Sequence, residues 1–263
     1  MISEYLPNIK SLILDMDGVL WHDSQPIGDL PVIFEHIKAS EIKFILATNN
    51  ATRSIEEYLA KLHGFGVKLE PQQVISTPEA VGIYLSERYP DGAGVYVVGE
   101  PGFKETLGRY NIKIADKNDK NVDVVAVGLY FGLTYDELKH ASLLIQSGSE
   151  FIGANPDKTL PTPEGLIPGA GTIIGALEIA TGVKATIVGK PQPLLYQIAL
   201  KRLGTTPEET LAVGDRLETD IAGAQATGIH TALVLSGAST LDQAMAYNPK
   251  PEIIVKDLNE LIS

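Results

Sequence analysis

The sequence predicts an α/β protein built on parallel sheets, with a second α/β unit inserted into the first. Three features carry this expectation: short apolar runs alternate with helical patterns, glycine and polar residues bound the runs, and polar clusters follow four of them. The runs are Leu12-Ile13-Leu14, Phe44 to Ala47, Val95 to Val98, Val122 to Val127, Ala185 to Val188, Leu211-Ala212-Val213 and Thr231 to Leu235. Between them, Ser54 with Glu57 offers a capping box, and Ile55, Leu59 and Leu62 fall on one helical face before Gly64 and Gly66 stop it. A second helix is expected from Pro193 to Leu203, with Gly204 as its stop.

In open α/β sheets, ligand groups gather at the carboxyl ends of strands. Four polar clusters stand at such ends: Asp15-Met16-Asp17-Gly18, Thr48-Asn49-Asn50, Gly189-Lys190-Pro191, and Gly214-Asp215 through Asp220. The long gap between the second and third requires an insertion. Its own signals are Gly94 to Gly99, Val122 to Leu129, a helix from Tyr135 to Ser147, and Phe151-Ile152-Gly153. The expected division is a discontinuous core of residues 1–78 and 181–263 around an inserted α/β domain of residues 79–180. Pro161, Pro163, Gly165, Pro168, Gly169 and Gly171 read as a loop-rich return crossing.

A chain of 263 residues, 44% hydrophobic, can bury one sizeable core and has room for another. Lys and Arg number 21 against 33 Asp and Glu, a formal charge of -12 that would repel nucleic acid and anionic membranes. The expected partner is a small molecule, and if it is anionic, a metal or a placed lysine must overcome the global field. Cysteine is absent, which excludes disulfides, thiolate nucleophiles and cysteine-bound metals and fits a reducing compartment. Met1 to Pro7 lacks the cationic start and apolar stretch of a secretory signal, and the run Val124 to Leu133 is too short to span a bilayer. A cytoplasmic location is expected.

Strand periodicity sends Asp15 and Asp17 to one face. Two carboxylates held that close repel unless a cation lies with them, and a hard divalent ion such as magnesium answers the need. Asp215 can supply a further carboxylate, and Asp220 is expected to orient ligands and water behind it. Stabilising the oxygens of a transferring phosphoryl group calls for fixed donors. Thr48, Asn49 and Asn50 provide them just ahead of a helix, and Lys190 provides a positive charge.

Together these four motifs, read as Asp15-Met16-Asp17-Gly18-Val19-Leu20, Thr48-Asn49-Asn50, Gly189-Lys190-Pro191 and Val213 through Ile221, resemble those of the haloacid dehalogenase superfamily. The likeness is strongest to its 4-nitrophenylphosphatase, NagD-type branch. It covers nearly the whole chain, including the cap segments Gly153-Ala154-Asn155-Pro156-Asp157 and Pro168-Gly169-Ala170-Gly171. The resemblance implies a Rossmann-like doubly wound core with an α/β cap, homodimerisation through that cap, and magnesium-dependent hydrolysis of small phosphorylated metabolites. It implies that Asp15 attacks phosphorus to form an aspartyl phosphate and that Asp17 protonates the leaving group and later activates water. It further implies that magnesium is held by the Asp15 carboxylate, the Asp17 main-chain carbonyl and Asp215. Asn155, Asp157 and the rest of the loop to Thr162 are expected to meet the leaving group. Pyridoxal-phosphate-specific members carry a histidine where Leu160 stands, which argues against that substrate.

Only 30 positions separate Asp17 from Ala47, whereas 140 separate Asn50 from Lys190, so the cap belongs in the second gap and a sugar phosphomutase is disfavoured. A phosphate sensor or scaffold that keeps the fold without turnover is the competing reading. Gly169-Ala170-Gly171 with Gly175 imitates a dinucleotide fingerprint, but prolines precede it and the last glycine is one position late, so a helix start is the better reading. The five histidines are scattered and suggest no zinc or serine-histidine site.

Overall fold

The computed structural model describes residues 6–119, 121–162 and 164–263. Residues 1–5 of the stretch inspected for a secretory signal, and Pro163 of the expected loop, lie outside the described residues. The chain forms two compact units, one of residues 1–48, 55–75 and 190–263, the other of residues 49–54 and 76–189. Among the described residues, no helix is long and apolar enough to cross a membrane.

The first unit is organised by a six-stranded sheet. Its order runs Ile253–Val255, His230–Val234, Thr210–Gly214, Ser11–Leu14, Lys43–Thr48, Val74–Ser76. The first five of these pair in parallel. Numbered along the unit, the order is the 3-2-1-4-5-6 of a Rossmann-like doubly wound sheet. Period-2 alternation explains why both faces are covered. Leu12, Leu14, Leu46, Leu211 and Val213 face one way and pack with the helices Leu30–Ala39, Ile55–Gly64 and Leu258–Ile262. Ile13, Ile45, Ala47 and Ala212 face the other way, towards Leu195, Tyr196, Ala199 and Leu203 of the helix Leu194–Leu203. Strands buried on both sides must read as continuous apolar runs, which is how they stand in the sequence.

The second unit has a five-stranded sheet of its own, all parallel, in the order Thr186–Ile187, Glu150–Gly153, Val124–Val127, Ala93–Val98, Ile112–Ile114. Counted along the unit this is 2-1-3-4-5, the other common doubly wound order. Tyr96, Val98, Val125, Val127 and Phe151 bury one face against the helices Tyr135–Gln146 and Ala170–Thr181. The first of those helices begins with a capping box, Thr134 with Glu137.

Three boundaries differ from the sequence reading. The inserted unit begins ahead of residue 79, because the helix Thr77–Arg88 is continuous, and it extends past 180, because Thr186–Ile187 pairs with Glu150–Gly153. Residues 49–54 also pack with it: a Cβ at Gly102 would stand 3.0 Å from the Ser54 nitrogen, and one at Gly128 would stand 3.4 Å from Ala51 Cβ. The stretch read as a loop is instead an antiparallel hairpin, Thr159–Thr162 with Gly165–Pro168. Its glycines have a packing role. Gly169 precedes the helix Ala170–Thr181, and a Cβ at Gly169 or Gly171 would lie 2.3 Å from the Asp157 or Pro156 carbonyl oxygen. Gly171→Ala is therefore expected to destabilise this unit by about 1–3 kcal/mol, as overpacking does, and urea unfolding followed by far-UV circular dichroism measures it.

Candidate active site

The order of the first sheet reverses between Ser11–Leu14 and Thr210–Gly214, and two acids stand just beyond these neighbouring strand ends. Asp15 follows one strand, with its main-chain N–H donating to the Val213 carbonyl at 2.9 Å, and Asp215 follows the other. This is the topological switch point at which open α/β sheets gather ligands. Asp220 reaches the same place from a π-helical turn, Leu217–Ile221. Single π-turns occur often at functional sites.

Lys190 ties these groups together. Its buried ammonium donates to Asp15 Oδ1 at 2.6 Å, to Asp220 Oδ1 at 2.6 Å and to the Ala47 carbonyl at 3.1 Å. One carboxylate oxygen from each of Asp15, Asp215 and Asp220 lies within 4.8 Å of the others. The second oxygen of Asp220 accepts from the Arg216 N–H at 3.0 Å, and Asp215 Oδ2 accepts from the Ala238 N–H at 2.7 Å. Glycine is required on both flanks of Asp215, since a Cβ would come within 2.5 Å of its Oδ2 from Gly18 and within 2.1 Å from Gly237.

The charges do not balance. Three carboxylates face one ammonium, which leaves the site short of positive charge when all are ionised. Burial pushes Asp15 well above the usual carboxylate range; Lys190 opposes the shift while Asp220 and Asp215 add to it. Burial, with Asp220 adjoining, pushes Asp215 up to about 7. Burial alone would drive Lys190 towards neutrality, but Asp15 and Asp220 outweigh it and hold its pKa well above the usual ammonium range. An all-oxygen, anionic set with this deficit fits a hard divalent cation.

Asp17 stands just past the end of its strand. The strand ends at Leu14, and Asp17 is exposed with its Oδ1 accepting from Trp21 Nε1 at 2.8 Å. The carboxylates that crowd one another are Asp15, Asp215 and Asp220, brought from two segments of the chain. Asp220 stands beside them with one oxygen on Lys190 and the other on the Arg216 N–H. Thr48 is buried at the end of Lys43–Thr48.

The other predicted residues belong to the second unit, where they hold one another. Asn155 Nδ2 donates to the Asn49 carbonyl at 2.7 Å, and Asn155 Oδ1 accepts from the Asp157 N–H at 3.1 Å. Asn49 Oδ1 accepts from Thr77 at 3.3 Å, and Asn49 Nδ2 lies 3.5 Å from Asp157 Oδ2. Asn50 Oδ1 accepts from the Thr52 N–H and hydroxyl at 2.9 and 2.7 Å, closing a local turn. Leu160, in the loop expected to meet the leaving group, is partly buried and packs against the apolar core of its unit. Sequence reasoning passed over Trp21 and Tyr196. The first could have been found as the chain's single tryptophan, four positions after Asp17.

The sequence profile of the haloacid dehalogenase-like hydrolases matches residues 12–113, and a second profile, HAD-hydrolase-like, matches residues 187–261. An acid sugar phosphatase of Staphylococcus aureus is 34% identical over 254 residues, 97% of either chain. The solved 4-nitrophenylphosphatase of Thermotoga maritima superposes with a TM-score of 0.92 at 31% identity, covering 98% of both chains. A glycerol phosphate phosphatase of Mycobacterium tuberculosis, solved in complex with magnesium, superposes at 0.89 with 31% identity, covering 97% of this chain and 76% of that one. The chain belongs to the haloacid dehalogenase-like hydrolases. Within them it falls in the 4-nitrophenylphosphatase, NagD-type branch, and it is a phosphoric monoester hydrolase.

The raised pKa of Asp215 sets a pH dependence. The folded, metal-free chain keeps that proton to about pH 7, whereas the unfolded chain releases it near about pH 4. Between those values the folded state binds more protons, so this group's contribution to stability is full below the interval and is lost as pH rises through it. A divalent cation binds the deprotonated form, so its stabilisation grows over the same range. Thermal unfolding with EDTA or with magnesium is expected to show a larger gain in Tm from the metal at the upper end of the interval. An equal gain at both ends would place the ion elsewhere.

Proposed function

We propose that the protein hydrolyses sugar and polyol phosphate monoesters with magnesium as cofactor, through a phosphoryl-aspartate on Asp15, with Asp17 as acid and then base. The observation that carries this reading is the buried carboxylate cluster around Lys190 at the sheet's switch point. Asp15, Asp215 and the main-chain carbonyl of Asp17 would hold the ion, with Asp220 keeping Lys190 in place, and bound magnesium would offset the negative charge of phosphate and carboxylates together.

Asp15 forms a bond to phosphorus while the bond from phosphorus to the leaving oxygen breaks, and that oxygen takes a proton from Asp17. The Asp17 carboxylate then takes a proton from water. The water oxygen bonds to phosphorus, the acyl phosphate bond breaks, and inorganic phosphate and both starting carboxyl groups are recovered. A covalent carboxylate intermediate divides one hard displacement into two easier ones. Lys190, already donating to Asp15, aims the nucleophile and offers its charge to a phosphoryl oxygen; the Thr48 hydroxyl supplies a second donor. The substrate class rests on the relatives, whose names point to sugar phosphate and glycerol phosphate.

Hydrolysis of p-nitrophenyl phosphate is expected to stop with EDTA and return with magnesium. Asp15→Asn should lower kcat by more than about a thousandfold, about 4 kcal/mol, with the fold intact. Asp17→Asn should accumulate phosphorylated protein, detectable by intact mass, because water activation is lost. Substantial turnover by a folded Asp15→Asn protein would overturn the mechanism.

A further inference from the structure

Trp21 is fully buried, yet its one polar atom points at a carboxylate that is not. The indole Nε1 donates to Asp17 Oδ1 at 2.8 Å, the only hydrogen bond to that carboxylate among the described residues. The turn between them is fixed at several points. Gly18 N–H donates to the Trp21 carbonyl at 2.8 Å, Leu20 N–H donates to the Met16 carbonyl at 2.8 Å, and Gly18 adopts a φ of +83°. Ser236 Oγ holds the Gly18 carbonyl at 2.7 Å from another segment.

The ring is clamped as well. Trp21 begins the short hairpin strand Trp21–His22, paired with Gln25–Pro26. Phe65 lies against it with ring centroids 6.0 Å apart, and the Lys61 ammonium sits 3.9 Å above its face while donating to the Asp23 carbonyl at 2.6 Å. A cation over an aromatic face is attracted by the ring's quadrupole and restrains its tilt. The core of the unit thus holds the indole, and the indole holds one oxygen of Asp17.

We propose that Trp21 is a positioning residue for proton transfer: its N–H occupies Asp17 Oδ1 and leaves Oδ2 as the oxygen that gives the proton to the leaving group. The proposal rests on the assignment of Asp17 as acid made above. Indole suits this task because it only donates, so it orients the carboxyl group without competing for the proton that must move. An exposed aspartate without such a restraint would divide its time among rotamers, and proton transfer is efficient only within hydrogen-bond reach of the leaving oxygen. The consequence depends on the leaving group. An alkoxide is too basic to depart unprotonated and feels the loss of an aimed acid, whereas nitrophenolate departs with little help.

The test uses the full chain and its single tryptophan, which permits global replacement by benzothienylalanine, an isostere with sulfur in place of the N–H. Trp21→Phe serves as a second variant, and thermal unfolding checks both. For each, kcat/KM is measured on glycerol phosphate and on p-nitrophenyl phosphate, since kcat/KM reports the first irreversible step, in which the leaving group takes its proton. The isostere is expected to lose about tenfold or more on glycerol phosphate and less than about threefold on p-nitrophenyl phosphate. Unchanged values on both, or equal losses on both, would overturn the proposal and leave Trp21 a packing residue. Asp17→Asn, measured alongside, separates the two readings. If it shows the leaving-group dependence and the isostere does not, only the role of Trp21 falls; if it loses equally on both esters, the assignment of Asp17 as acid falls with it.

Discussion

The first unit is arranged around a buried lysine. Placing the Lys190 ammonium out of water is tolerable only because Asp15, Asp220 and the Ala47 carbonyl receive it, since a buried charge stripped of its partner costs about 3–5 kcal/mol. The groups that meet there come from widely separated stretches of chain, so the requirement reaches far into the fold. Asp220 can approach because Gly214 has no side chain; a Cβ there would lie 2.2 Å from Asp220 Cβ. Gly223 in turn leaves room for the Tyr196 ring and the Pro191 carbonyl, and the Tyr196 hydroxyl donates to the Asp220 carbonyl at 2.8 Å. Small residues and a buried phenol thus fix the turn that carries one carboxylate, and that carboxylate fixes the lysine.

The same cluster reconciles an acidic protein with an anionic substrate. A chain of net charge -12 repels phosphate at long range, but salt screens that field within about 8 Å, and chemistry is decided at shorter distances. Locally the carboxylates outnumber the ammonium, a condition that favours a divalent cation over a second lysine. Another lysine would have to be desolvated and hydrogen-bonded in its turn, whereas an ion carries two charges and takes its ligands from oxygens already present.

The sequence revealed the sheets because strands buried on both faces cannot hide: Leu12-Ile13-Leu14 and Leu211-Ala212-Val213 are apolar at successive positions. The strands Val74–Ser76 and Ile253–Val255 escaped notice because three residues are too few to establish a pattern. The hairpin Thr159–Thr162 was hidden by prolines, which an antiparallel pair outside the main sheet can accommodate at positions where the N–H is not needed. Strand–loop positions gave the cluster's identities, Asp15, Lys190, Asp215 and Asp220, because the polar residues interrupt apolar or helical runs. Their geometry was less legible. The strand ends at Leu14, ahead of Asp17, and Asp220 is carried by a π-turn, Leu217–Ile221, that no sequence pattern announces. Likewise, nothing local assigns residues 49–54 to the inserted unit; the glycines they pack against and the hydrogen bonds of Asn49 to Thr77, Asn155 and Asp157 do so.

The two units offer a comparison within one chain. Both sheets are doubly wound, and both have a point where strand order reverses, so topology alone would give each a crevice. In the second unit that point lies beyond Ala93–Val98 and Val124–Val127, and it is closed. Phe103, fully buried, occupies it: a Cβ on Gly99 would lie 2.7 Å from the ring and one on Gly128 would lie 3.1 Å away. In the first unit two glycines, Gly18 after Ser11–Leu14 and Gly237 after His230–Val234, make room for the Asp215 carboxylate instead. Glycine at the crevice is common to both; what differs is whether an aromatic ring or an acid fills the space. Architecture therefore supplies the position twice, and the chemistry follows from the side chains admitted to it.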